Sequence, residues 1–274
     1  MSSQFNMEGL MKNFTDSYNA ILAKGDPRVE NWLLMKSPVP SAIIGILYLV
    51  AVTAGPSIMR DRKPLNLKWI LIPYNFALVA LSAYMFYEFV VTSVLSNYSY
   101  RCQPVDYSNS PLALRMANVC WWFFFSKVIE LMDTIFFVCR KKWDQITFLH
   151  VYHHCSMIVN WWLGVKYIAG GQSFFPGMLN SFVHVIMYTY YALAAIGPHL
   201  QPYLWWKRYL TRLQLTQFLA FLIHSGYNLT VDCDFPKGYI IAVFAYAVSL
   251  IILFGNFYYR TYTLKQREKR SKKE

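Results

Sequence analysis

The chain has 274 residues, of which 56% are apolar, 18% aromatic and only 15% charged, and its formal net charge is +12. A soluble globular domain would carry about a quarter charged residues. Apolar stretches near or beyond 18 residues recur, which is the length that a helix needs to cross a bilayer. These features predict an all-α polytopic membrane protein. They exclude a nucleic-acid partner, because the basic residues fall in short loops without a binding module.

The apolar segments predict seven membrane-spanning helices in one membrane domain. Residues 1–39 are polar and show no cleavable signal peptide, so the apolar segment that starts near Pro40 should act as an uncleaved anchor. We therefore divide the chain into an N-terminal segment (1–39), a membrane domain (40–262) and a basic tail (263–274). The predicted spans are 40–59, 69–95, 113–138, 145–166, 174–195, 209–229 and 237–259.

The distribution of basic residues predicts the orientation. With the N-terminus outside, 17 of the 26 Lys and Arg residues lie on the cytosolic side, as the positive-inside rule requires. This places the N-terminus in the lumen and the C-terminus in the cytosol. The cytosolic charge has two interpretations: it sets the topology and faces anionic lipids, or it receives an anionic substrate.

Several residues bear on the compartment. Cys102 and Cys233 share the oxidising outer face, where they are either disulfide-bonded, as we predict, or two free thiols. Asn13, in the sequon Asn-Phe-Thr, lies far enough from the membrane to be glycosylated. In the tail, Arg270 and Lys272 approximate a dilysine-type endoplasmic reticulum retrieval signal.

Ionisable groups inside the spans are costly and mark a functional site by default. In the third span, Lys127, Glu130 and Asp133 follow one another at spacings of three and share a helix face. They could form a reaction site or a self-neutralising cluster that holds helices together. The fourth span carries a histidine box on one face: His150, His153 and His154. The fifth and sixth spans add the polar positions Asn180, His184, Tyr188, Tyr191, Gln214 and Gln217.

Together these positions predict a polar chamber inside the helix bundle, near the cytosol. The His-x-x-His-His box is typical of membrane di-iron desaturases and hydroxylases, but those enzymes need several such boxes to supply enough ligands. A seven-span receptor or carrier is a second alternative, although the chain lacks the Asp-Arg-Tyr and Asn-Pro-x-x-Tyr motifs. The third is an enzyme that acts on a lipid, with the head group in the chamber.

At these residues the sequence resembles the ELO family of fatty acid elongases, the 3-oxoacyl-CoA synthases of the endoplasmic reticulum membrane. The motifs are Lys127-x-x-Glu130-x-x-Asp133-Thr134, His150-x-x-His153-His154, Asn180-x-x-x-His184-x-x-x-Tyr188-x-Tyr190-Tyr191 and Thr211-x-x-Gln214-x-x-Gln217. They occur in the family's order and spacing, and the resemblance runs from about Asp26 to Tyr262. Other stretches, such as "VDYSNSP", are similar to the very-long-chain branch.

The resemblance implies a reaction and a fold. Acyl-CoA and malonyl-CoA would give 3-oxoacyl-CoA, carbon dioxide and free CoA. The acyl chain would be long or very long, and saturated or polyunsaturated. Spans two to seven would surround a substrate tunnel closed at the lumenal end. Neither a metal nor another cofactor is expected. The partners would be the bilayer, a ketoreductase and a dehydratase of the same cycle, and a possible second copy of the chain.

The resemblance also assigns roles within the site. It favours His153 as a nucleophile that becomes acylated, with Cys155, or direct attack without a covalent step, as the alternatives. His184 would orient His153 or share the acyl chemistry, while His150 and His154 would position the imidazole and stabilise charge on the thioester oxygen. Lys127, Glu130 and Asp133 would tune protonation, and Asn180, Tyr188, Tyr191, Gln214 and Gln217 would bind substrate. Phosphate contacts are assigned to cytosolic cations: Lys141, Lys142, Lys207, Arg208 and Arg212.

Overall fold

The structure, a computed structural model, describes residues 7–264, and every regular element in this range is helical. The helices are α1 (Met7–Leu22), α2 (Val39–Ile58), α3 (Lys68–Leu95), α4 (Pro111–Glu130), α5 (Met132–Cys139), α6 (Phe148–Ile168), α7 (Phe174–Ile196), α8 (Lys207–Thr230) and α9 (Lys237–Tyr258). Short 3₁₀ turns and a final π turn connect or extend them. The basic tail lies almost wholly outside the described residues, and so do Arg270 and Lys272.

Helices α2 to α9 occupy the seven predicted spans, with one difference. The third span is divided at Leu131, where the backbone N–H donates to Val128 O at 3.3 Å in a 3₁₀-type turn. Such a turn within a helix changes the direction of the side chains that follow it. Here it separates Glu130, at the end of α4, from Asp133, at the start of α5. The predicted single helix over 113–138 is therefore two helices.

Four of the described helical segments are long and apolar enough to cross a membrane: α2, α3, the segment Gly171–Ile196 that contains α7, and the segment Lys237–Leu264 that contains α9. The other three predicted spans contain the polar residues of the motifs, which lower their hydropathy. Helix α4 carries Lys127 and Glu130, α6 carries the histidine box, and α8 begins with basic residues. The chain is thus a helical protein with membrane-spanning helices, and the count of seven spans stays a prediction.

Six helices form a closed ring, which we call the six-helix ring. In order around it, α3 packs against α4, α4 against α6, α6 against α9, α9 against α8, α8 against α7, and α7 along α3. Helix α2 stands outside the ring against α5 and α6, and it exposes apolar side chains such as Ile46, Leu47 and Val50. Exposed apolar surface of this kind is what a lipid-facing helix presents.

We call the two ends of the ring the disulfide end and the basic end. The disulfide end contains Cys102, after α3, and Cys233, before α9. These cysteines are joined in a disulfide with a Cα–Cα distance of 5.6 Å, which agrees with the predicted pairing. The basic end contains the ends of α5 and α7 and the start of α8. Positively charged side chains there include Arg140, Lys142 and Arg208.

The N-terminal segment packs against the disulfide end. Arg28 forms an ion pair with Asp26 and donates to Ala169 O at 3.2 Å. Hydrogen bonds from the backbone and side chain of Ser108 hold the pKa of the nearby Asp106 below its usual range. In α1, Asn13 is exposed, so its side chain is sterically available for the predicted glycosylation.

Candidate active site

The histidine box lies on the first two turns of α6. Thr147 caps this helix, because its hydroxyl oxygen accepts from the backbone N–H of His150 at 3.2 Å. His150 Nε2 lies 2.6 Å from Thr134 Oγ1, and Thr134 donates to the Tyr48 hydroxyl at 3.1 Å. With its hydroxyl hydrogen used, Thr134 accepts from His150 Nε2–H. The rings of His150 and His154 are 4.3 Å apart between centroids, so His150 is fixed in both orientation and tautomer.

His153 faces a cavity of about 500 Å³ in the six-helix ring. Its helix presents Met157, Gly164 and Ile168 to the same cavity, since residues about four apart share a helix face. Helices α7, α8 and α9 supply the opposite walls, which are mainly aromatic and aliphatic. Of the three box histidines, His153 alone lines this cavity, and within residues 7–264 no hydrogen bond engages its ring. An imidazole nitrogen is therefore available to a ligand in the cavity.

A buried ionic cluster joins α4 to α7. Lys127 Nζ donates to Glu130 Oε1 at 2.9 Å and to Asn180 Oδ1 at 3.1 Å. His184 Nδ1 lies 3.2 Å from the same carboxylate oxygen of Glu130. The side chains of Lys127 and Glu130 are each only 2% exposed. Because Glu130 accepts at Nδ1, His184 carries its hydrogen there and leaves Nε2 free as an acceptor.

The orientation of Asn180 follows from the same cluster. Its oxygen accepts from Lys127, so its amide nitrogen points away from the ammonium group. Asn180 also lines the cavity together with His153. The amide N–H groups are therefore free to donate to a carbonyl oxygen of a ligand near His153.

A second polar contact joins α5 to α7. The Tyr188 hydroxyl donates to Asp133 Oδ2 at 2.8 Å, and Tyr188 is 1% exposed. The ring of Tyr191 lies 5.8 Å from that of Tyr188, but Tyr191 is 39% exposed. Asp133 thus fixes Tyr188 within the helix ring, while Tyr191 is partly exposed.

The two glutamines of α8 differ in their surroundings. Gln214 Nε2 lies 3.6 Å from Met187 Sδ, on α7. Gln217 is buried and its Oε1 has no hydrogen-bond partner within the described residues. A buried carbonyl oxygen without a partner is costly, and the substrate-binding role of Gln217 stays a prediction.

The structure separates the five predicted phosphate-binding cations into groups. Arg208 and Arg212 both donate to the Tyr258 hydroxyl, at 2.7 and 2.9 Å. This places them together on one side of α8, which begins with Lys207. Lys141 is engaged by Arg60 O at 2.9 Å.

Lys142 lines a second cavity of about 510 Å³ at the basic end, with Lys68 and Arg140. These two neighbours lie outside the sequence motifs, since Lys68 begins α3 and Arg140 directly follows α5. Tyr48 also lies outside the motifs, and its contact with Thr134, which is on another helix, could not be found from spacing within one helix. The basic end thus offers two separate places for anionic groups.

Among residues 7–264, no group of three or more His, Cys, Asp or Glu side chains is arranged to hold a metal ion. His150 Nε2, Lys127 Nζ and Glu130 Oε1 take part in the hydrogen bonds described above. The expectation that the protein needs no metal or other cofactor stays a prediction.

The sequence has extensive similarity to known proteins. The model of the ELO family (GNS1/SUR4 family) matches residues 33–271. The chain is 53% identical over 247 residues to very long chain fatty acid elongase 4 of Homo sapiens, covering 90% of this chain and 79% of that protein. It is 51% identical over 253 residues to very long chain fatty acid elongase 7 of Rattus norvegicus, covering 91% and 90%. Very long chain fatty acid elongase 1 of Homo sapiens is 48% identical over 260 residues, covering 94% and 93%.

Proposed function

Since the chain belongs to the ELO family of very long chain fatty acid elongases, we propose that it catalyses the condensing step of fatty acid elongation. In this reaction acyl-CoA and malonyl-CoA give 3-oxoacyl-CoA, carbon dioxide and CoA. The observation that carries the proposal is the position of His153, which lines a largely apolar cavity and whose ring has no hydrogen-bond partner within residues 7–264. Such a cavity suits an acyl chain, and its polar wall suits the thioester.

The first chemical step transfers the acyl group to His153. A ring nitrogen attacks the thioester carbonyl, the N–C bond forms, and the C–S bond breaks. The departing thiolate takes the ring proton and leaves as CoA. Histidine is able to serve as a nucleophile of this kind. The Asn180 amide donates to the carbonyl oxygen, where negative charge develops in the transition state.

The second step uses the acylated histidine as an electrophile. Malonyl-CoA loses carbon dioxide, and the resulting enolate attacks the acyl carbon. The C–C bond forms, the N–C bond breaks, and the imidazole takes up a proton, so the whole reaction consumes one proton. His184, whose Nδ1 donates to Glu130, positions His153 or accepts the acyl group in turn.

Other residues bind the substrates or fix the catalytic ones. Tyr188 and Asp133 maintain the contact between α5 and α7, and Tyr191, Gln214 and Gln217 contact the CoA thioester region. The CoA phosphates bind at the basic end through Lys142, Lys207, Arg208 and Arg212. Guanidinium groups bind phosphate through paired hydrogen bonds, and the Arg208–Arg212 pair supports this assignment.

The cellular setting follows from the same proposal. The protein resides in the endoplasmic reticulum membrane, with the disulfide end towards the oxidising lumen and the basic end towards cytosolic CoA esters. A ketoreductase and a dehydratase act on its product, because a 3-oxoacyl chain must be reduced and dehydrated before the next cycle. Self-association is compatible with its exposed apolar helix faces.

An elongation assay tests the proposal. The purified full-length protein is incubated with a long-chain acyl-CoA and labelled malonyl-CoA, and 3-oxoacyl-CoA and released carbon dioxide are measured. We expect the wild type to form 3-oxoacyl-CoA and carbon dioxide in equal amounts. Cys155→Ala should form as much of each as the wild type, and His153→Ala should form neither. Acyl-CoA binding without any turnover of malonyl-CoA would instead indicate a carrier or receptor.

A further inference from the structure

The cavity that begins at His153 ends in a polar cluster at the disulfide end. Gln172, His224 and Asn228 line it there, although an ordinary fatty acyl chain ends in a methyl group. The walls between are largely apolar, with side chains such as Met157 and Phe235. Polar groups at the far end of an apolar cavity therefore need a reason.

Gln172 has an amide whose orientation is fixed. Its Nε2 donates to Arg101 O at 2.9 Å and to Asn228 Oδ1 at 2.8 Å. Both acceptors are oxygens, so the nitrogen must face them and its two hydrogens are used. The amide oxygen then has no hydrogen-bond partner within the described residues, although Gln172 is only 6% exposed. The wall of the cavity thus carries a buried acceptor that lacks a donor among residues 7–264.

His224 supplies a second acceptor at the same end. Its Nε2 lies 3.1 Å from Tyr100 O, and because a carbonyl oxygen only accepts, Nε2 carries the hydrogen. In a neutral imidazole the other nitrogen, Nδ1, is then an acceptor. Stacking on Phe175, with ring centroids 4.0 Å apart, holds the ring in place. Two acceptors without donors among the described residues call for a ligand that donates.

The backbone around Gln172 holds it rigidly. Gly171 has a φ of +52°, and a Cβ there would lie 2.9 Å from Gln103 O, so only glycine fits between the two loops. The Arg101 carbonyl that orients Gln172 comes directly before Cys102, which is bonded to Cys233. The acceptor is therefore positioned by the disulfide and the close loop contact.

We infer that this polar cluster is a subsite for the far end of an acyl chain that carries a hydroxyl group. The inference rests on the proposed function and names a substrate class for the same site: ω-hydroxyacyl-CoA. The terminal hydroxyl donates to Gln172 Oε1, with His224 Nδ1 as the alternative acceptor. A methyl-terminated chain of the same length leaves the buried oxygen unpaired.

The length of α6 sets which chains reach this subsite. Ile168 follows His153 by fifteen residues on α6, a rise of about 22 Å at about 1.5 Å per residue. An extended acyl chain advances about 1.25 Å per carbon, given C–C bonds of about 1.5 Å. Chains of about 18 carbons therefore place their last carbon beside Gln172, whereas chains of about 12 carbons end far short of it.

The test compares ω-hydroxyacyl-CoA and methyl-terminated acyl-CoA of equal length in the elongation assay with the full-length protein. One neutral hydrogen bond is expected to change kcat/KM about tenfold. We expect this preference for the hydroxyl at about 18 carbons and equal rates at about 12. The dependence on length is measured in the wild type, so it needs no variant that folds.

Two variants locate the effect. Gln172→Met removes the acceptor while keeping the size, and we expect the preference at about 18 carbons to disappear while elongation of 12-carbon chains continues. Ser225→Ala removes a hydroxyl from the same cavity wall, but that hydroxyl already donates to Phe221 O at 2.6 Å, so the preference should persist. Equal rates at every length, or a preference that survives Gln172→Met, would overturn the inference.

A binding measurement separates this inference from the proposed function. Displacement of labelled acyl-CoA is measured on His153→Ala, which should not react. If ω-hydroxyacyl-CoA binds more tightly than methyl-terminated acyl-CoA but the wild type elongates neither, the proposed function is wrong and the subsite is supported. Elongation without the preference contradicts the subsite alone.

Discussion

The ion pair between Lys127 and Glu130 should be strongly coupled, because both charges are removed from solvent. Lys127→Met leaves the Glu130 carboxylate buried, with Ser126 and His184 as its remaining hydrogen-bond partners among the described residues. Glu130→Gln leaves the ammonium group with Asn180 Oδ1 and the Phe123 ring, whose centroid is 4.3 Å from Nζ. Removing one partner of a buried pair costs about 3–5 kcal/mol, because the other charge stays unpaired.

The expected change in melting temperature follows from this cost. A change of 1 kcal/mol shifts Tm by about 2–4 °C in chains of 150–250 residues, so each single variant should lower Tm by about 10 °C. The double variant Lys127→Met with Glu130→Gln buries no unpaired charge. It should therefore be more stable than either single variant.

Tm is measured by thermal unfolding of the detergent-solubilised wild type, the two single variants and the double variant. The Arg115–Glu88 pair is the matched control, because the Arg115 side chain is 34% exposed and a pair of this kind contributes only about 0–1 kcal/mol. Glu88→Gln leaves the partly exposed Arg115 guanidinium in contact with solvent, so it should lower Tm by only a few degrees. If the Tm of the double variant fell by the sum of the two single-variant decreases, the reasoning that the unpaired buried charge causes most of each decrease would be refuted.

Three further results are expected. Peptide mapping without reductant should recover a linked Cys102–Cys233 peptide, and alkylation of both thiols in the native protein would contradict the disulfide. Because 131 residues separate the two cysteines, Cys102→Ser should lower the free energy of unfolding by up to about 5 kcal/mol. Elongation should survive exhaustive chelation, whereas loss of activity and its recovery with iron would support the desaturase-like alternative. Arg208→Gln should raise the KM for acyl-CoA about tenfold, because it removes a charged hydrogen bond to phosphate. The control Lys12→Gln, in α1, should leave this KM unchanged. An unchanged KM in Arg208→Gln would exclude the phosphate contact.

The sequence predicts the helices well because apolar length is a local property. The bounds of the helices in residues 7–264 fall close to the predicted spans, as α3 over Lys68–Leu95 illustrates. The break at Leu131 was not predictable, since no proline or glycine occurs near it. The turn there instead accompanies contacts that Glu130 and Asp133 make with α7.

Spacing also predicts which polar residues share a helix face, but not what they contact on other helices. The one-face arrangement of the box is visible from the i, i+3, i+4 pattern, yet only the packed helices distinguish His150, bonded to Thr134, from His153, which faces the cavity. Gln172 gave no signal at all. Its unpaired oxygen depends on Asn228, which is 56 residues away.

Acylation of His153 tests the central claim most directly. The purified protein is incubated with acyl-CoA alone, free CoA is measured, and the protein is digested and analysed by mass spectrometry. We expect stoichiometric CoA release without malonyl-CoA and an acyl mass on the peptide containing His153, both absent in His153→Ala and both retained in Cys155→Ala. CoA release that requires malonyl-CoA, with no acylated peptide, would contradict the covalent mechanism.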